Sequence, residues 1–340
     1  MFKDKKILMW FFLLGLLSLP TQAKINEENI YDALIVFGDS LSDVGSYNVG
    51  PIAALGGGKF SINSPLLRIW PERLAEELGL EAPCPAITGF NGATLGIVPV
   101  AHHAGCFAYA QGGSRVTNEI GIGNPAAASP GSPAGALTVP VVAQIMHHLD
   151  REQSFGDKNL VAVWAGSNDI LANILSINAL ENIIQASNEL VAHIKNHIIG
   201  HGAKRIIVLN IGDIRHTPLG VKLPLSFQTK INDMIVAFNN RLVSGLADVS
   251  DTVLLLDIYS EGQLWAQNPA AYGISNTTST ACYLDLLPYP SALLCTASTL
   301  VAEDTSGYFF ADLVHPAPKG HQVIADFVQR KLKEHGWLAK

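Results

Sequence analysis

The chain has 340 residues, of which 48% are hydrophobic and 15% are charged, so it can bury a large core. Its formal net charge of −7 comes without a basic cluster, which argues against a nucleic-acid partner and against electrostatic binding to anionic lipid. Neither property excludes a membrane-derived substrate that is held through apolar contacts.

The first 23 residues have the layout of a secretory signal peptide. Three lysines lie among the first six residues, residues 7–17 are apolar, and small residues favour cleavage after Ala23. The apolar run is short for a bilayer span, so an uncleaved anchor is the less favoured alternative. We predict a signal peptide at 1–23, a single domain at 24–340 and export to the periplasm or the medium, with no transmembrane span in the mature chain.

Short apolar runs alternate with longer stretches of helical periodicity. The apolar runs lie at 33–37, 159–166, 204–212 and 252–259, and the helical stretches at 179–199, 230–249 and 319–336. Near-continuous apolar strands are typical of a parallel sheet buried on both faces. The alternation predicts an α/β fold, a three-layer α/β/α sandwich of the flavodoxin-like kind with a mostly parallel sheet.

Residues 121–136 are rich in Gly, Pro, Ala and Ser, which break helices and strands. We expect a long surface loop there, and the sequence leaves open whether it is a lid, an activation segment or filler.

The four cysteines form an even set in a chain that we expect to be exported, which indicates disulfides. Of the three possible connectivities we predict the sequence-local one, Cys84–Cys106 with Cys282–Cys295. None of the four lies in a C-x-x-C pair, so zinc and thiol redox roles are poorly supported.

Small polar clusters follow three predicted strands or loops, and a fourth precedes the last helix. They are Gly38-Asp39-Ser40-Leu41, Gly112-Gly113, Gly166-Ser167-Asn168-Asp169, and Asp312 with His315. Sites in α/β folds gather at the carboxyl ends of strands. Each cluster alone has an ordinary explanation as a turn or a helix cap.

Taken together, the clusters supply the parts of a nucleophilic site. The Ser40 hydroxyl needs a base, which His315 can provide near neutral pH. Asp312, three residues earlier, can accept the other ring N–H and stabilise the imidazolium. The backbone N–H groups of Ser40 and Gly113, with the Asn168 amide, can stabilise an oxyanion.

These residues resemble the GDSL, or SGNH-hydrolase, superfamily of esterases and lipases. G-D-S-L, a glycine block, G-x-N-D and D-x-x-H occur in the family's order. The resemblance implies Ser40 as nucleophile, His315 as base, Asp312 as its orienting group, and an oxyanion hole from Ser40, Gly113 and Asn168. Gly112 is the alternative donor, because the family's glycine block can be aligned with either of these two adjacent glycines. No metal and no cofactor are expected.

We therefore predict a serine esterase that hydrolyses carboxyl esters of lipids, such as lysophospholipids, through an acyl-enzyme. Acyl transfer to a second alcohol is an expected side activity. The alternatives are a carbohydrate O-deacetylase with the same triad and a non-catalytic surface-binding protein on the same scaffold. Acyl-chain length, head group and oligomeric state are left open.

Several further residues carry weaker predictions. Asp39 and Asp43 are expected to hold the turn around Ser40, with Asp39 as a catalytic acid the alternative. Asn63 or Trp70 is expected to shape a substrate cleft.

Two groups of histidines are candidates for other roles. His193, His197 and His201 would share a helix face, but no nearby carboxylate completes a metal site. The adjacent pair His147-His148 is expected at the surface.

Overall fold

Residues 30–91, 99–124, 126 and 135–338 are described by the computed structural model of the chain. The predicted signal peptide at 1–23 lies outside the described residues, as do residues 125 and 127–134 of the predicted 121–136 loop.

A parallel sheet of four strands forms the centre of the fold. In chain order the strands are β1 Ala33–Gly38, β2 Ile87–Thr88, β3 Ala101–His102, β4 Asn159–Trp164, β5 Arg205–Leu209, β6 Val253–Leu256, β7 Asn276–Thr280 and β8 Tyr308–Phe310. The central sheet has the order β1-β4-β5-β6, with every neighbouring pair parallel. β2 pairs antiparallel with β3, and β7 pairs parallel with β8.

Helices connect the strands. They are α1 Gly50–Ala54, α2 Trp70–Glu77, α3 Val141–Glu152, α4 Ser167–Asn173, α5 Ala179–His193, α6 Leu225–Leu246, α7 Ile258–Gln267 and α8 Pro318–His335. α6 begins five residues before the predicted 230, directly after Pro224, which is extended and sits at its N-cap. Within the described ranges, no helix has the length and apolarity needed to cross a bilayer.

Side chains that alternate along the strands divide the core into two layers. Ile35 and Phe37 of β1 pack on the side that holds α3, α5 and α6, whereas Leu34 and Val36 pack on the side of α2, α7 and α8. A period of two sends successive residues to opposite faces of a sheet, so both faces are buried. The predicted three-layer α/β/α sandwich is confirmed.

The segment after the first disulfide runs beside the free edge of β1. The Val36 N–H donates to the Phe107 carbonyl at 3.0 Å, and the Tyr109 and Gln111 N–H groups donate to the Val36 and Gly38 carbonyls at 2.7 and 3.2 Å. This pairing carries the chain to the carboxyl end of β1. It thereby delivers the two glycines at 112 and 113 to the turn that contains Ser40.

Both predicted disulfides are present in the structure. Cys84 pairs with Cys106, next to the segment that flanks β1, and Cys282 pairs with Cys295 just after β7, beside Ala311 directly after β8. Each closes a short loop, over 22 and 13 residues respectively.

The expectation of a surface position for His148 is wrong. His148 is 1% exposed, its ring stacks on Phe155 at a centroid distance of 4.4 Å, and its Nδ1 lies 3.2 Å from the Tyr109 hydroxyl. Burial lowers its pKa to about 4. Two adjacent residues of a helix point in different directions, so α3 turns His148 inward with Ile145 while His147 is only partly buried.

Candidate active site

Ser40, His315 and Asp312 form a continuous hydrogen-bonded relay, although 275 residues separate the first two. The Ser40 hydroxyl donates to His315 Nε2 at 2.8 Å, and His315 Nδ1–H donates to Asp312 at 2.7 Å to Oδ2 and 2.9 Å to Oδ1. Ser40 lies two residues after the end of β1, and the other two lie on the loop between β8 and α8. His315 is therefore placed to accept the proton of the Ser40 hydroxyl, and the Asp312 carboxylate binds the other nitrogen of the His315 ring.

Backbone donors surround the Asp312 carboxylate, which is 2% exposed. Oδ2 accepts from the Ala292 N–H at 2.6 Å, and Oδ1 accepts from the N–H groups of Val314 and His315 at 3.0 and 2.8 Å. Burial alone would raise the pKa of Asp312, but the His315 imidazole and these donors hold that pKa below its usual range. The carboxylate is therefore ionised at neutral pH.

Three N–H donors lie at the wall of the cavity beside Ser40. They belong to the Ser40 and Gly113 backbones and the Asn168 side chain. Within the part of the chain that the structure describes, neither backbone N–H has a hydrogen-bond partner. Asn168 Nδ2 donates to the Ser114 carbonyl at 2.9 Å through one of its two hydrogens. Donors left without a partner in this way can serve an oxyanion.

The choice between the two glycines depends on Asp43. The Gly112 N–H donates to Asp43 Oδ2 at 2.9 Å, so it is already engaged, whereas Gly113 keeps its N–H. Gly113 has φ of +84°, and a Cβ there would meet the Ile122 carbonyl oxygen. The geometry therefore favours Gly113 as the donor, and only glycine fits its position.

The two acidic residues that flank Ser40 have different surroundings. Asp43 accepts from the Gly45 and Ser46 N–H groups and the Ser46 hydroxyl, and so holds the turn together. Asp39 lines the cavity, accepts from the Leu41 N–H through Oδ1, and has an Oδ2 without a partner among the described residues. Burial raises the pKa of Asp39 to about 7.

Two supporting residues escaped the sequence analysis. Gln144 of α3 binds both backbone groups of Gly38, accepting from its N–H at 2.9 Å and donating to its carbonyl at 2.8 Å. The Phe60 ring lies 4.9 Å from the His315 ring, between centroids. A polar residue on the buried face of α3 was a signal for the first, but nothing in the sequence pointed to the second.

The expectation that Asn63 or Trp70 shapes the cleft is wrong. Asn63 Nδ2 donates to the Ala292 and Cys295 carbonyls at 3.2 and 3.1 Å, and so holds the loop whose Ala292 N–H reaches Asp312. Trp70 is buried beneath the site, where it packs edge-on against Trp164 at 5.9 Å between ring centroids. Both residues support the site from outside the cavity wall.

Ser40, His315 and Asp312 line a cavity of about 470 Å³. Much of its wall is apolar, and the apolar lining includes Phe60, Ile122, Leu171, Trp164 and Trp265. A space of this size is in the usual range for small-molecule sites. It can hold a substrate much larger than an acetyl group.

The helical histidines form a stacked row. The rings of His193 and His197 are 5.5 Å apart and those of His197 and His201 are 6.3 Å apart, between centroids. Among the described residues, no set of three or more His, Cys, Asp or Glu side chains is grouped to hold a metal ion.

A family model described as GDSL-like Lipase/Acylhydrolase matches residues 34–328, and that stretch includes all four polar clusters. The chain belongs to this family.

Its relatives include plant and bacterial proteins. A GDSL esterase/lipase of Arabidopsis thaliana is 28% identical over 204 residues, which cover 54% of this GDSL chain and 56% of that protein, so the match spans about half of the relative. A phosphatidylcholine-sterol acyltransferase of Aeromonas hydrophila is 26% identical over 291 residues, covering 81% of this chain and 72% of the relative.

One solved structure aligns with most of the chain at a low level of similarity. Axe2, an acetylxylan esterase of Geobacillus stearothermophilus, aligns with a TM-score of 0.41 and 13% identity over 89% of this chain and 96% of that one. Similarity at this level leaves the substrate of the GDSL chain open.

Proposed function

We propose that this chain is a serine esterase that cleaves carboxyl esters of lipids through an acyl-enzyme on Ser40. The observation that carries the proposal is the 2.8 Å hydrogen bond from the Ser40 hydroxyl to His315 Nε2, at the wall of a largely apolar cavity. The relay supports the reaction type, and the cavity supports the substrate class.

Acylation begins when Ser40 Oγ attacks the ester carbonyl carbon and its proton moves to His315 Nε2. The carbonyl π electrons move onto oxygen, and the N–H groups of Ser40, Gly113 and Asn168 stabilise this oxyanion. The oxyanion then re-forms the carbonyl and expels the alcohol oxygen, which takes the proton from His315. Asp312 stabilises the imidazolium throughout and stays ionised.

Deacylation repeats these steps with water in place of the serine. His315 removes a proton from water as it attacks the acyl carbon, and the proton returns to Ser40 Oγ when the acid departs. A second alcohol in place of water would give acyl transfer. The similarity to a bacterial phosphatidylcholine-sterol acyltransferase supports transfer as a side activity.

The cavity favours a lipid ester over an acetylated sugar. Sugar hydroxyls lose hydrogen bonds with water when they enter an apolar site, and each unpaired group costs about 1–3 kcal/mol. The side chains of Phe60, Ile122 and Leu171, which line the same cavity as Ser40, offer no such partners, but they do fit an acyl chain.

We also propose that the protein is exported. The charge and apolar pattern of residues 1–23 supports this location, as do two disulfides, which persist in oxidising compartments.

The test is hydrolysis by the purified mature protein, with the Ser40→Ala protein as the blank. The panel holds p-nitrophenyl esters of rising chain length, a lysophospholipid, a phospholipid and an acetylated sugar. We expect Ser40-dependent release of fatty acid from the lipids. Activity confined to the acetylated sugar would move the assignment to a deacetylase. Inactivity across the panel, in folded protein with both disulfides formed, would support a binding protein.

A second prediction concerns the oxyanion hole. Asn168→Ala should lower kcat by about 10²- to 10³-fold with little change in KM, because the lost amide acts on the charge of the transition state. The measurement is kcat and KM for one p-nitrophenyl ester.

Asn173→Ala is the matched control for Asn168→Ala. Asn173 lies on the same helix, α4, is 5% exposed, and donates to the Asp169 carbonyl at 2.9 Å, but it does not line the cavity. It should keep kcat within about threefold. Equal losses in the two variants would mean that α4 is merely disturbed.

A further inference from the structure

One wall of the cavity is a single face of α7. Ile258, Gly262, Trp265 and Ala266 line the cavity, and their spacing of three or four residues places them on one side of the helix. Eight residues separate the first from the last, which is about 12 Å along the helix axis. The cavity therefore extends well beyond the space needed to hold an ester group.

Aromatic side chains from the sheet and from β8 continue this wall. Trp164 ends β4 beside Gly38 of β1, two residues before the nucleophile. Phe309 packs on Trp265 at 5.5 Å between ring centroids, so these two rings form one continuous apolar surface. We call the part of the cavity along this surface and α7 the α7 groove, lined by Trp164, Ile258, Gly262, Trp265, Ala266 and Phe309.

Gly262 leaves open space beside α7. A Cβ built on Gly262 has no atom within 4 Å, so the space next to it is empty. Glycine is a poor helix former, and the helix itself gains nothing from it there. A larger side chain would enter the groove without disturbing the backbone.

The chemistry of the α7 groove fits a hydrocarbon chain. None of its six lining side chains carries a charge. The nearby Asp213 carboxylate is already engaged by Arg215 and Gln263. A glycerol or sugar alcohol would leave its hydroxyls unpaired in this environment, whereas an acyl chain has none to pair.

We propose that the α7 groove binds the acyl chain of the ester and that Gly262 sets the longest chain accepted. This inference rests on the proposed esterase function. A zigzag of carbon–carbon bonds of about 1.5 Å advances roughly 1.25 Å per carbon. The 12 Å of α7 therefore accommodates about ten carbons, which places the preferred substrates among medium-chain and longer esters.

The experiment is a substitution series at position 262, measured as kcat/KM on p-nitrophenyl esters from acetate to palmitate. Gly262→Leu should reduce kcat/KM for the dodecanoate at least about tenfold and leave the acetate within about twofold. Gly262→Phe should move the preferred chain to a still shorter length. Both replacements form helices better than glycine, so the fold should be retained.

Leu264→Phe is the control, since it adds bulk on the outer side of α7, where Leu264 is 45% exposed. It should keep the wild-type chain-length profile. The inference is overturned if the Gly262 variants also keep that profile. It is overturned equally if they change the preference among acetate esters of longer alcohols, because the groove would then hold the alcohol.

A binding measurement separates the α7 groove from catalysis. Dodecanoic acid is titrated calorimetrically into the Ser40→Ala protein and into the Ser40→Ala, Gly262→Phe protein, and the second should bind at least about tenfold more weakly. If binding depends on position 262 but the wild-type protein hydrolyses none of the esters, the proposed function is rejected and the groove is kept. Equal binding by both proteins would reject the groove.

Discussion

Ser40→Ala should lower kcat/KM for carboxyl esters by roughly 10⁴- to 10⁶-fold, because the variant has no atom that can carry the acyl group. Among the described residues, the Ser40 hydroxyl forms a hydrogen bond only with His315 Nε2, so its removal should leave the fold intact. The measurement combines ester hydrolysis with labelling by a fluorophosphonate, which should add its mass to Ser40 in the wild type and to no residue of the variant.

Ser42→Ala is the matched control in the same turn. Ser42 is fully buried and its hydroxyl has no hydrogen-bond partner among the described residues. Removing an unpaired buried hydroxyl should cost no stability, and kcat/KM should stay within about twofold. A Ser40→Ala protein with full activity would refute the nucleophile, whereas equal losses in both variants would indicate a damaged turn.

The part of the site that follows from sheet geometry could be predicted from sequence. Parallel strands end at the same edge, so the residues that follow β1 and β4 had to meet there. This brings Ser40 and Asn168 to one cavity across 128 positions of chain. The positions of His315 and Asp312 could be predicted only with the D-x-x-H motif, because a loop before a helix can lie over any part of the sheet edge.

The parts that depend on contacts between distant segments could not be predicted. The choice of Gly113 over Gly112 depends on the Asp43 carboxylate, which lies 69 residues before Gly112 in sequence and engages its N–H. The α7 groove depends on how α7 packs against β8. Periodicity places Trp265 on a buried face, but it does not say that a gap remains beside Gly262.

The role of Gln144 in supporting the site could not be predicted from sequence, for a related reason. Gln144 appears in the sequence as one polar residue in an amphipathic helix, yet it is 2% exposed and holds the Gly38 backbone, two residues before Ser40. A hydrogen bond between residues 106 positions apart leaves no trace in local periodicity. Its one signal was its place on the same face as Val141 and Ile145, where an unpaired amide would be costly.

The second large effect is expected from Asp312→Asn, which removes the charge next to His315. Asp257→Asn is its control, because it makes the same change at a carboxylate away from the cavity. Asp257 precedes α7 outside the cavity wall and accepts from the Ser260 N–H at 3.2 Å. Burial would raise its pKa, but hydrogen bonds from Ser260 and Asn210 hold that pKa below its usual range. Because Asn also caps helices well, kcat should stay within about threefold.

Asp312→Asn, in contrast, should lower kcat by about 10³- to 10⁴-fold with KM changed only a few-fold. Both carboxylate oxygens accept N–H donors, from Ala292 and from the His315 ring and backbone, so an amide NH₂ in either position meets another donor. His315 can avoid this contact by moving its proton to Nε2, where it can no longer accept from Ser40.

The pH dependence distinguishes this tautomer effect from a simple change in protonation. The wild-type Asp312 pKa lies below its usual range, so its carboxylate is charged across the range of the assay, and the variant is neutral at every pH. The ratio of wild-type to variant kcat should therefore stay roughly constant between about pH 8 and 9, where histidine is ordinarily neutral. It should fall at lower pH, because only the wild type stabilises the imidazolium with an anion. If kcat of Asp312→Asn recovers at high pH, or falls by less than tenfold, then the Asp312 anion does not fix the tautomer of His315.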